Sequence, residues 1–255
     1  MDAVKKALKM RRGIKEIRYG DMFFEKKNRL YEPIQDWDLG SNAYLSSYFV
    51  RLERSLPLLR KSILDESLPL YVYGMPDLFC GGRITDVLIL GMFEYLEANP
   101  ELLEVAQHDL DYEMRASSVT SIGEMGRRSF DIAPSLCSIL RNDKRFYVKN
   151  DASEALGKIG NPIANNYLRD SFDEARYSIK DAGLRGYPFQ FETSDPWEKK
   201  ELDSACLLLE RSIISLLKLD PISGREILSI GLSDSDQTVY HWSKKAAFWF
   251  EYLKD

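Results

Sequence analysis

Two histidines and three cysteines are all that this 255-residue sequence offers to metal or thiol chemistry. Cys80, Cys137 and Cys206 lie far apart and match no metal-ligand spacing, so neither a metal nor a cofactor is expected. Cys137 and Cys206 sit inside apolar helical runs (SLCSIL and SACLLL), where a free cysteine behaves as a small buried hydrophobe. Cysteine used in this way points to a reducing compartment, the cytoplasm. Cys80-Gly81-Gly82-Arg83 lacks the length, the Lys-Ser/Thr ending and the preceding strand of a phosphate loop, and reads as a tight turn before a helix at Asp86. Long apolar runs are missing too: none approaches the roughly 20 residues of a membrane span. The start, MDAVKKALKMRRGIKEI, has no apolar signal-peptide core, and as an organellar presequence it lacks serine and carries Glu16.

An excess of positive charge is the remaining absence. The net charge of −5 argues against a general nucleic-acid binder, which carries a basic footprint. The average hides an asymmetry. Residues 1–30 hold ten Lys/Arg against four Asp/Glu, a local +6, which leaves −11 for the other 225 residues. A basic leader on an acidic body is either a tail for nucleic acid or a membrane surface, or a helix that docks on its own acidic neighbour; the docked helix is the preferred reading.

What is present is a fully folded composition, 44% hydrophobic and 29% charged, long enough for a substantial core. Within it the sequence repeats itself. Met114–Gly126 (MRASSVTSIGEMG) aligns with Val148–Gly160 (VKNDASEALGKIG) at a 34-residue offset. Ser118 falls on Ala152, Ser121 on Ala155, Ile122 on Leu156, Gly123 on Gly157 and Gly126 on Gly160. An Asp stands five positions before each anchor: Asp109 before Met114, Asp143 before Val148, and Asp234 before Val239. In the Val239 repeat Ser243, Ala246, Ala247 and Phe250 take the inward positions, and a degenerate repeat is read from Ile179. Small and apolar residues at helical spacing, with Ala or Ser where helices approach closely, predict one helix of a pair. The glycines predict its stop, and the Asp predicts the turn and cap that open it. One such pair cannot bury its own apolar face, so neighbours must stack.

At these residues the chain resembles HEAT-repeat proteins, in particular the short repeats of phycobilin lyase subunits, over roughly residues 100–185 and 222–253. The resemblance implies an all-α fold, a right-handed α-solenoid of HEAT-like helical pairs with an irregular helical N-terminal region. Four parts are expected: 1–85, helical with the basic leader; 86–185, repeats; 186–200, an insertion; and 201–255, further repeats and a cap. Helices are also read over Asn42–Lys61, interrupted by Pro57, over Asp86–Ala98 and over Glu201–Leu219. In the insertion, Phe189, Phe191 and Trp197 either project as a functional loop or plug a gap between repeats. Deoxyhypusine hydroxylases, HEAT-type di-iron enzymes, use His-Glu pairs; here His108 precedes Asp109 and His241 precedes Trp242, so that chemistry is not expected.

The resemblance also implies that the second helix of each pair lines a concave surface. The helical register leaves Ser117, Thr120 and Glu124, then Asp151, Glu154 and Lys158, then Trp242, Lys245 and Trp249 pointing outward there. Glu124, Asp151, Glu154, Lys158, Trp242, Lys245 and Trp249 are therefore the candidate partner-binding residues. The tryptophans serve either as contact anchors or as packing at a covered end of the stack. The chain reads as a non-enzymatic adaptor or inhibitor, for instance an immunity protein that neutralises a basic toxin. It would be a monomer or weak homodimer with a basic protein partner, no membrane role, and nucleic acid not favoured. Two alternatives from the same fold are a DNA-binding protein resembling the alkylpurine glycosylases, with Asp151 or Glu154 as its carboxylate, and an accessory subunit resembling the phycobilin lyases.

Overall fold

The computed structural model describes residues 56–66, 83–182 and 196–252. The basic leader 1–30, the Cys80–Gly82 turn, Phe189, Phe191 and the Trp197 side chain lie outside the described residues. Helix and turn account for what is described, with no strand among those residues. After a helical stretch at 56–62 come α1 (Arg83–Met92), α2 (Asn99–His108), α3 (Tyr112–Glu124), α4 (Ala133–Asn142) and α5 (Phe146–Ile159). They are followed by α6 (Ala164–Asp181), α7 (Pro196–Leu219), α8 (Pro221–Leu232) and α9 (Gln237–Tyr252). Pro100, Pro134 and Pro221 open α2, α4 and α8, where the missing N–H removes no helical hydrogen bond.

Four pairs pack internally: α2 with α3, α4 with α5, α6 with α7, and α8 with α9. The even-numbered helices form one layer and α1, α3, α5, α7 and α9 the other, each helix resting on its predecessor in the layer. The result is an all-α solenoid. Its core is made by the anticipated positions: Met114, Ser118, Ser121, Ile122 and Met125 of α3 are buried, as are Val148, Ala152, Ala155, Leu156 and Ile159 of α5. In α9, Val239, Ser243 and Ala246 are fully buried, whereas Ala247 and Phe250 are half-buried.

Three expectations are corrected. Ile179 does not begin a repeat; it is a buried residue of α6, and the missing second helix is α7. There Leu208, Ser212, Ser215 and Leu216 occupy the register of Met114, Ser118, Ser121 and Ile122, and all four are buried. The interval between α6 and α7 stretches the 34-residue offset to 60 (Val148 to Leu208) and hides the repeat. Next, only the second glycine of each pair stops a helix: Gly126 and Gly160 hold φ of 57° and 78°, a region where a side chain is strained. Gly123 and Gly157 lie inside their helices at points of close approach. A Cβ on Gly123 would stand 2.8 Å from Ala155 Cβ, and one on Gly157 2.5 Å from Ser215 Oγ.

Finally, Asp109 does not cap α3. Asp111 does, accepting hydrogen bonds from the Glu113 and Met114 amides. Asp109 instead accepts the Asp111 amide at 2.9 Å and a charged hydrogen bond from Arg83 on α1. Asp143 repeats the device, accepting the Arg145 amide and a fork from Arg115 of α3 at 2.8 and 3.2 Å. Asp234 accepts the Asp236 amide and is held by Arg176 and Lys180 of α6. Each turn is thus tied to an earlier helix by charge. Where the α6–α7 interval departs from the pattern, Lys149 turns to Glu174 (2.6 Å), and Glu201 of α7 accepts the Phe146 amide (3.2 Å) and Arg145 (3.0 Å) at the start of α5.

Candidate protein-binding surface

Small residues set how closely the odd-numbered helices approach, and that spacing decides which polar side chains meet across them. Gly91 lies on Ser121, Gly123 on Ala155 and Gly157 on Ser215. Ser121 and Ser215 each donate to a carbonyl of the preceding odd helix, Val87 and Ser153, both at 2.8 Å. With the backbones so close, the side chains one turn outward link laterally. Thr120 of α3 donates to Asp151 of α5 at 3.2 Å, and Arg211 of α7 reaches Asp151 at 3.2 Å and also bonds Glu154. Lys158 bridges Glu154 and Glu124, each at 2.7 Å. Beyond α7, Lys245 pairs with Glu210 at 3.2 Å and stands 3.9 Å over the Trp242 ring.

Glu124, Asp151, Glu154 and Lys158 therefore meet in one network spanning three helices, while Lys245 and Trp242 form a second cluster beside it. Trp249 is half-buried, edge-on to Phe248 at 5.7 Å. Three positions differ from the expected outward set, Asp151 among them at 8% exposed. Ser117 is buried, and Trp242 is only 8% exposed, so what the surface presents at Trp242 is the Lys245 ammonium. Arg211 and Lys218 complete the face and escaped the sequence reading. They occupy the register of Asp151 and Lys158, a signal available only once the α6–α7 interval is removed from the spacing.

The electrostatics follow the geometry. Burial pushes the Asp151 carboxyl up to about 6, with Glu154 adding to the rise and Arg211 and Thr120 opposing it. Burial also works against the Glu154 charge, but Arg211 and Lys158 outweigh it and hold the group below its ordinary range. Lys158 is desolvated yet raised by Glu154 and Glu124. Lys218 is exposed at the surface; desolvation and the nearby Lys158 lower it, against the pull of Glu154. Burial raises Glu210 despite Lys245.

The model for HEAT repeats matches residues 99–185, the stretch that carries α2 to α6. This chain carries HEAT repeats. Their family makes helical-repeat modules for protein interaction, and α3 and α5 are the second helices of the pairs within the matched stretch. No curated protein matches the chain. Among the described residues no helix is long and apolar enough to cross a membrane, and no three of His, Cys, Asp and Glu gather as metal ligands.

Proposed function

We propose that the chain is a non-enzymatic adaptor or inhibitor that binds a basic protein through the exposed face of α3, α5, α7 and α9. The observation that carries this reading is the cross-helix network itself. Its charges are held in place before any partner arrives, which lowers the ordering cost of binding. The −11 carried by residues 31–255 favours encounter with a basic partner, a toxin neutralised by an immunity protein being one such case. Glu124 and Trp249 are the informative positions, since Trp242 is too buried to alter without repacking α9.

The test is capture by tagged protein from nuclease-treated host lysate, compared with a Glu124→Lys/Trp249→Ala variant of unchanged circular dichroism. The expected result is one stoichiometric basic protein, weakened by salt and lost with the variant. Recovery of nucleic acid alone, and only without nuclease, would replace this reading with the glycosylase-type one. Asp151 tells against that alternative: it is 8% exposed, and Thr120 and Arg211 occupy its oxygens.

A further inference from the structure

On the exposed face of α3, α5 and α7 the carboxylates are already engaged. Asp151 accepts Thr120 on Oδ2 and Arg211 on Oδ1, each at 3.2 Å. Glu154 meets Lys158 with Oε1 and Arg211 with Oε2, and Lys158 also holds Glu124 at 2.7 Å. One cation of the face is left over. Lys218 stands on α7 at the register of Lys158 on α5, exposed, and among the described residues no carboxylate comes within salt-bridge reach of it. Asp220, two residues on, is committed to α8, where it accepts the Ile222 and Ser223 amides. The surroundings of Lys218 work against its charge: the packed helices desolvate the ammonium and Lys158 repels it, and together they outweigh the attraction of Glu154 and hold it below the usual lysine range.

A lysine exposed to solvent, beside a second cation and without a counter-charge, is an activated nucleophile, because more of it carries a free lone pair. The Lys158 ammonium and the Arg211 guanidinium on either side, both part-exposed, attract an anionic reagent to it. We propose that Lys218 is a site of N-acylation, its donor an acyl phosphate. The amine lone pair attacks the acyl carbon and a C–N bond forms. The bond from that carbon to the phosphate oxygen breaks, inorganic phosphate leaves with the electron pair, and the proton released by the amine passes to water. The amide formed is uncharged, so acylation relieves Lys158 of its like-charged neighbour and takes one positive charge from the face proposed for a partner. The step itself needs no partner and stands apart from that reading.

Acetyl phosphate is the probe. The full chain is incubated with it at pH 7.5, and acetylation of each lysine is followed over time by mass spectrometry. Lys218 is expected to react several-fold faster than Lys144 and Lys244, which are exposed and lie outside the network. Each variant is first shown by circular dichroism and thermal melting to fold as the wild type does. Lys158→Gln, which removes the repelling ammonium and frees Glu154 to pair with Lys218, should slow Lys218 toward the rate of the other two. Glu154→Gln, which removes the attraction and keeps the repulsion, should speed it. Neither should change Lys144 or Lys244. With the uncharged acetyl ester of N-hydroxysuccinimide the lead of Lys218 should shrink, since the flanking cations no longer gather the reagent. Lys218 reacting no faster than Lys144 and Lys244, or either variant failing to move its rate in the stated direction, would overturn the site. An undiminished lead with the uncharged ester would overturn the choice of donor.

Discussion

Asp151 sets burial against charge, and the balance has a measurable sign. Its carboxyl stands near 6 in the folded chain and near its ordinary value once unfolded, so the folded state binds the extra proton between those limits. The contribution of this group to stability is therefore greatest below about pH 4 and is lost as pH rises through 6, on the order of 2–3 kcal/mol in all. In Asp151→Asn that dependence disappears. Relative to the wild type, the variant should gain melting temperature at pH 7.5 and lose the advantage at pH 4.5, as read by thermal denaturation across the range. Arg83 makes the opposite case, a buried cation whose Nε and Nη2 donate to the Ile63 carbonyl at 3.0 and 2.7 Å and whose counter-charge is Asp109. Asp109→Ala strands that charge and should cost about 3–5 kcal/mol in urea denaturation. Arg141→Ala, which breaks the exposed pair with Asp170, should cost under about 1 kcal/mol.

At the scale of the helix, the spacing of the odd-numbered layer rests on side chains that are absent. A Cβ on Gly91 would come within 2.6 Å of the Ser121 Cα, a backbone atom that cannot yield without moving α3. Gly91→Ala should therefore destabilise by about 1–3 kcal/mol, although alanine is the better helix former at an unconstrained site. Chemical denaturation measures it directly. This level was largely legible in the sequence. Ser121, Ile122, Ala155 and Leu156 announced the buried stripe by their spacing, and Gly123 and Gly157 marked the special positions. Their role was misassigned because a glycine at a helix stop and one at a close approach look alike in a linear string; only the neighbouring helix distinguishes them. The Asp of each turn suffered the same ambiguity. Asp109 and Asp111 are equally able to cap α3, and the decision comes from Arg83, 26 residues earlier in the chain.

For the whole molecule, α7 is the element on which the stack depends: it packs on α5, α6, α8 and α9. Leu216, fully buried within it, should cost about 2–5 kcal/mol when cut to alanine. Native-state hydrogen exchange should show α7 amides opening only with global unfolding, while the start of α1 and the end of α9 open at lower free energy. It was also the element least visible as a repeat, and Arg211 and Lys218 went unrecognised with it. Their distance from Asp151 and Lys158 along the chain is set by the α6–α7 interval rather than by the fold. That interval has a further consequence. The α6–α7 packing and the hold of Glu201 on the start of α5 join the two sides of the interval without using the peptide chain between them. Cut by a protease between Ala182 and Pro196, the molecule should elute from a sizing column as one particle and separate into two pieces only when denatured, a natural place to divide it into complementing fragments.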